Sequence, residues 1–162
     1  MRLTNYSDYA LRTLMYLAVM PADAELATIQ DIADSYQISK SHLTKIIHQL
    51  AQLGYIESIR GKNGGIRLAR RPEQINLGEV LRYTEPDFAL VPCFVEARQA
   101  NDKLEPRIEK DSRAAQVSCM IQPSCLLKNV FYEATQAFIA VMDSYTLADI
   151  TQNGNRLWAL LR

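Results

Sequence analysis

What this sequence lacks narrows its class before any motif is read. Its apolar patches, 88–95 and 137–142, fall far short of the roughly 20 residues that a helix needs to cross a bilayer. The opening Met1-Arg2-Leu3-Thr4-Asn5-Tyr6-Ser7-Asp8 has no charged stretch running into an apolar one. That predicts no secretory signal and a cytoplasmic location. Cysteine is scarce, three in 162 residues, and no CxxC pair occurs. Cytoplasmic thiols stay reduced, so these three read as ligands, redox groups or core residues ahead of disulfides. Net charge is absent too, with 18 Lys+Arg against 18 Asp+Glu. A zero total does not exclude a nucleic-acid partner, because the distribution of charge matters more than its sum. There is no internal repeat and no low-complexity tract. With 48% hydrophobic and 22% charged residues, global disorder is excluded. No nucleophile–base constellation, phosphate-binding glycine loop ahead of a helix, or paired carboxylates in an evident cleft can be found, so an enzyme is not expected.

What is present falls into an ordered series, long enough for one domain or one domain plus an extension. Residues 7–20 carry two apolar stripes at helical spacing, one through Tyr9, Ala10, Leu14, Leu17 and Ala18, the other through Leu11, Met15 and Val19. Ser7 is the expected cap and Pro21 the stop. Thr28-Ile29-Gln30-Asp31 has the form of a capping box and opens a short second helix. After a tight turn at Gln37-Ile38, Ser39 caps a third, with Leu43, Ile46, Ile47, Leu50 and Leu53 at intervals of three and four. Gly54 closes it. Two short helices about a tight turn, preceded by a third, form a helix-turn-helix. Strands are then expected at 55–60 and 66–70, joined by Gly61-Lys62-Asn63-Gly64-Gly65 with Asn-Gly turn chemistry. The expected fold is therefore mainly α: a winged helix-turn-helix over 1–86 with a two-stranded β wing. Asn76-x-x-Glu79 starts its last short helix, which ends near Pro86.

A region over 87–124 follows. Ten of the 23 residues 96–118 are charged, which reads as a solvated insert. A long helix is expected over 125–150. Leu127, Phe131, Ala134, Phe138, Val141 and Tyr145 there repeat at alternating fours and threes, the spacing of a heptad seam. The tail 151–162 is polar and then apolar, and no role is evident for it.

The charge distribution answers what the total could not. Residues 39–71 hold seven basic groups (Lys40, Lys45, Arg60, Lys62, Arg67, Arg70 and Arg71) and one acidic group, Glu57. Their local charge of +6 is balanced by −6 elsewhere. Positive charge gathered on a second helix and its wing releases counterions from DNA phosphates. Ser39, Lys40, Ser41, His42 and Lys45 stand at the end of the helix that meets base edges. The wing residues Arg60, Lys62, Asn63, Gly64, Gly65 and Arg67 are placed to approach a backbone or minor groove, and Thr28 completes the expected contact set.

Cys93, Cys119 and Cys125 lie in one irregular region, separated by 25 and five residues. Clustered thiolates suit an iron–sulfur cluster, zinc or copper(I). By spacing alone, buried or free cysteines explain them equally well.

The stretches 3–12 (Leu-Thr-Asn-Tyr-Ser-Asp-Tyr-Ala-Leu-Arg) and 60–68 (Arg-Gly-Lys-Asn-Gly-Gly-Ile-Arg-Leu) resemble the Rrf family of winged-helix regulators. Tyr145-Thr146-Leu147-Ala148-Asp149 is similar to the end of the dimerisation helix in its nitric-oxide-sensing branch. The resemblance implies a homodimeric repressor on a roughly palindromic double-stranded DNA operator. It carries an iron–sulfur cluster, 2Fe–2S or 4Fe–4S, and answers nitric oxide by releasing detoxification genes. It implies Cys93, Cys119 and Cys125 as ligands, with Asp8 of the other subunit in the position of a fourth, oxygen ligand. The branch that regulates cluster biogenesis has a histidine three residues past the last cysteine, where this chain has Lys128. The family's first cysteine gap is short and here it is long, so Cys119 and Cys125 are the firmer ligands. Asp8 also makes an ordinary i,i+4 pair with Arg12. The alternatives are a cluster-free winged-helix regulator answering a metabolite or partner protein, an iron–sulfur regulator of another signal, and a zinc or thiol-redox regulator.

Overall fold

The first helix, α1 (Asn5–Val19), begins one turn earlier than a Ser7 cap would place it. In the computed structural model, which describes residues 2–21, 24, 26–91 and 119–162, the cap is Thr4, whose Oγ1 accepts the Ser7 N–H at 3.3 Å. Ser7 itself is fully buried in the first turn. The reason is not local. The Thr4 backbone N–H and hydroxyl both donate to the Glu85 carboxylate, at 2.8 and 3.0 Å, so a residue at the far end of the domain holds Thr4 in place.

Apolar periodicity builds the next elements as expected. Helix α2 (Ile29–Tyr36) opens on the Thr28–Asp31 capping box and ends at Gln37, which adopts a left-handed conformation with φ 54°. Helix α3 (Lys40–Gln52) follows, with Gly54 (φ 73°) just past its end. Ala10, Leu14, Ile32, Leu43, Ile46, Leu50, Tyr55 and Ile66 meet in one core. Fully burying a leucine or isoleucine contributes about 1.5–3 kcal/mol, so this cluster is the main favourable term in the fold.

Strands β1 (Ile56–Ile59) and β2 (Gly65–Leu68) are antiparallel, with Glu57 opposite Arg67 and Ile59 opposite Gly65. Both are shorter than expected. They also have an unforeseen neighbour in Ala27, which bridges Ile66 through two backbone hydrogen bonds of 3.0 and 2.8 Å. After a 3₁₀ turn at Pro72–Gln74, α4 (Leu77–Thr84) starts where Asn76 accepts the Glu79 N–H at 3.0 Å.

Cys93 and the charged residues 96–118 lie outside the described residues. The chain is described again from Cys119, and α5 (Leu127–Asp143) carries most of the heptad seam. The stretch expected as one helix to 150 divides. Tyr145 falls beyond the helix end, and Thr146 with Asp149 forms a capping box that opens a separate turn, α6 (Leu147–Ile150). The Leu147 N–H donates to Ile75 O at 2.8 Å, which bends the chain back onto the domain. The apolar tail is docked. Helix α7 (Gly154–Leu160) sets Trp158 edge-on against Tyr16 of α1, ring centroids 5.4 Å apart. Among the described residues, no helix is long and apolar enough to cross a membrane.

Candidate functional site

One side of α3 is buried through Leu43, Ile46, Ile47 and Leu50. The other presents Lys40, Ser41, His42, Thr44, Lys45 and His48 to solvent, with Ser39 exposed just ahead. The Ser39 hydroxyl pairs with that of Ser41 at 2.8 Å and does not cap the helix. The first-turn N–H groups thus lack a side-chain cap, a state suited to a phosphate oxygen.

Three side chains hold this helix, a role that the sequence assigned to none of them. Gln49 is buried on α3, accepts a short hydrogen bond from the Tyr6 hydroxyl of α1, and donates to Tyr83 O of α4 at 2.9 Å. Tyr6 is half-buried, and that burial raises its phenol pKa above the ordinary value. Arg70, counted with the basic patch, donates to Leu53 O and Gly54 O, both at 3.0 Å, and stacks over Tyr55 at 4.7 Å. Its charge sits at the C-terminal end of α3, where the helix dipole favours a cation. No sequence pattern separates such an arginine from one that faces DNA.

The remaining basic groups of the stretch 39–71 are exposed. Arg60, Lys62 and Asn63 stand exposed on the wing, and Arg71 beyond it. Arg67 is exposed but bonded across the strands to Glu57 at 2.9 Å, which offsets part of its charge. Gly64 closes the wing turn, its N–H donating to Gly61 O at 3.0 Å, and Gly65 opens β2 opposite Ile59; both are half-buried. Thr28 is exposed, its hydroxyl accepting the Asp31 N–H at 3.2 Å.

The cysteines form a second feature. Cys119 and Cys125 are half-buried, in no disulfide, and bracket the 3₁₀ turn Gln122–Ser124. Among the described residues, no three His, Cys, Asp or Glu gather as a metal site. Asp8, half-buried on α1, is bonded to Arg12 through both oxygens at 3.0 and 2.9 Å. Arg12 also lies 5.6 Å over the Tyr36 ring, at the end of α2. The donor chemistry fits thiolate-bound iron in kind. A complete set requires Cys93 and a donor from elsewhere.

The loop and the first turns of α5 leave much apolar surface open. Leu126 is 78% exposed, Val130 57% and Val141 57%, while α5 buries Thr135 and Ile139 against the domain. Of the heptad seam, Leu127 and Val141 are exposed, while Phe131 and Phe138 are half-buried.

Residues 3–153 match the sequence pattern of the Rrf2 family, described as iron-dependent transcriptional regulators. The chain is 48% identical to the HTH-type transcriptional regulator NsrR of Bacillus licheniformis, over 99% of either protein. It is also 48% identical to the regulator of that name from Bacillus subtilis, over 100% of this chain and 98% of the relative. Its fold is similar to that of CymR, the global cysteine regulator of B. subtilis. The TM-score is 0.65 at 21% identity, covering 94% of this chain and 98% of that one.

Proposed function

This chain belongs to the Rrf2 family of transcriptional regulators, and from that premise we propose that it is a cytoplasmic, homodimeric repressor that senses nitric oxide through an iron–sulfur cluster and so controls nitric oxide detoxification genes. It is a DNA-binding regulator and not an enzyme. The observations that carry the DNA interface are the uncapped, exposed N-terminus of α3 and the exposed basic side chains of the wing that follows it in the chain. The exposed apolar side chains Leu127, Val130 and Val141 of α5 support pairing with a second copy, which would cover them. Two such copies present two recognition helices related by a two-fold axis and read a roughly palindromic operator.

The signal reading rests on the identity shared with regulators named NsrR and on the half-buried, unbridged thiols of Cys119 and Cys125. With Cys93, these would hold the cluster, either 2Fe–2S or 4Fe–4S. When bound, the cluster supplies iron that reacts with nitric oxide. Asp8 of the partner protomer is the fourth, oxygen donor in this reading, and it must first leave Arg12. That exposed pair contributes only about 0–1 kcal/mol, so the exchange is not costly.

The test is made on protein purified without oxygen. Iron and sulfide counts, a solution mass twice 18.4 kDa, and DNA affinity before and after nitric oxide are measured together. A coloured dimer that releases DNA on exposure supports the reading. Colourless protein that resists reconstitution, with DNA binding indifferent to the gas, would instead favour a cluster-free regulator.

The phosphate contacts have their own check. Lys45→Ala and Arg60→Ala are each expected to lower the slope of log affinity against log salt by about 0.9. A slope equal to the parent's would remove that residue from the backbone contacts.

A further inference from the structure

Beyond the buried Thr135 and Ile139, the DNA-binding body grips the C-terminal end of α5 through polar groups. Arg82 of α4 donates from both terminal nitrogens to the two Asp143 oxygens, at 2.6 and 2.5 Å. Asn76 donates to Asp143 O at 2.6 Å, and the Leu77 N–H to Tyr145 O at 3.0 Å. Gly78 admits this close approach. A Cβ there would collide with the Asp143 carboxylate and lie 2.9 Å from the Asp143 backbone nitrogen. At the other end of α5, Leu126, Leu127 and Val130 are exposed.

We propose that this junction of Asn76, Gly78, Arg82 and Asp143 is a specificity determinant. It sets the angle between the DNA-binding body and the helix through which two copies pair, and thereby the half-site spacing that the dimer accepts. The inference rests on the homodimeric reading above. A planar guanidinium on a carboxylate fixes direction as well as distance, which a single hydrogen bond does not. The lever is the part of α5 beyond the buried Thr135: from Leu127 it spans about 12 Å, so a 10° change at the grip moves its far end by about 2 Å. Base-edge contacts are made over hydrogen-bond distances and do not survive such a shift in register. Both side chains are substantially exposed, so the pair adds little to stability. Its bidentate form serves orientation.

The experiment selects binding sites from a randomised duplex DNA library, using anaerobically purified protein. Wild type is compared with Arg82→Ala and Asp143→Asn. Wild type is expected to enrich paired half-sites at one spacing. Either variant should enrich the same half-site sequence over several neighbouring spacings, and bind the wild-type optimum about tenfold more weakly. Affinity for an isolated half-site should stay unchanged. Arg82→Lys, which keeps the charge and loses the fork, should broaden the spacing as well. Variants that keep one sharp spacing overturn the role of the junction and leave the dimer intact. A wild type that enriches only unpaired half-sites overturns the dimeric reading, and this inference with it.

Discussion

Gly65→Ala is expected to lower the unfolding free energy by about 1–3 kcal/mol and to remove most specific DNA binding. The position looks like a flexible turn residue in the sequence, but its φ is unexceptional, and what constrains it is space. A Cβ on Gly65 would lie 2.6 Å from Ala27 O and 2.9 Å from the Leu26 Cβ. Both belong to the segment that enters α2, and Ala27 is the residue bridged to Ile66. Relief requires the wing to move away from that segment, at the expense of the two Ala27–Ile66 hydrogen bonds. Arg60 and Lys62 would move with it and lose their register on the phosphates. Urea unfolding and a binding titration on the same preparation measure both effects. A variant with the parent's midpoint and the parent's affinity would show that the wing is not held by this contact.

Cys119→Ala is expected to abolish iron retention in protein purified without oxygen, while circular dichroism and solution mass stay as in the parent. The side chain is half-buried in a loop whose neighbours, Met120 and Ile121, are exposed, so little packing is lost. A surface substitution of this kind changes stability by about 0.5 kcal/mol or less. Loss of one thiolate removes a ligand that the chain cannot replace nearby, since Leu126, Leu127, Lys128 and Asn129 follow Cys125. Parallel measurement on Cys93→Ala tests whether the first cysteine shares the role despite the 25 residues that separate it from Cys119. Full iron content in Cys119→Ala would exclude that thiol as a ligand.

Local chemistry explains why so much of the DNA-binding fold was legible. The Thr28–Asp31 box, the Asn76 cap, the Gly54 stop and the spacing of Leu43, Ile46, Ile47 and Leu50 act within a turn or two of themselves. The stretch of positive charge over 39–71 is likewise a property of neighbours in the chain. Some assignments failed for a local reason, as where Ser39 pairs with Ser41 and leaves α3 uncapped; others failed because a distant group intervened. Glu85 moved the first cap from Ser7 to Thr4. Ile75 and the Thr146–Asp149 box split a helix that its periodicity would have continued through Tyr145.

The same division runs through the function. By itself the sequence determined the element order, the polarity of the recognition helix, the basic wing and the thiols available to a metal, because these follow from residue type and spacing. Tertiary structure alone decided that Arg70 is bonded to the end of α3, half-buried, and that Gln49 ties α3 to its neighbours. It alone decided that Gly65 is a packing contact and that Arg82 grips Asp143. Each of these depends on a partner 16 to 61 residues away, or on space that a third segment leaves. Such distances are set only when the hydrophobic core has brought the segments together.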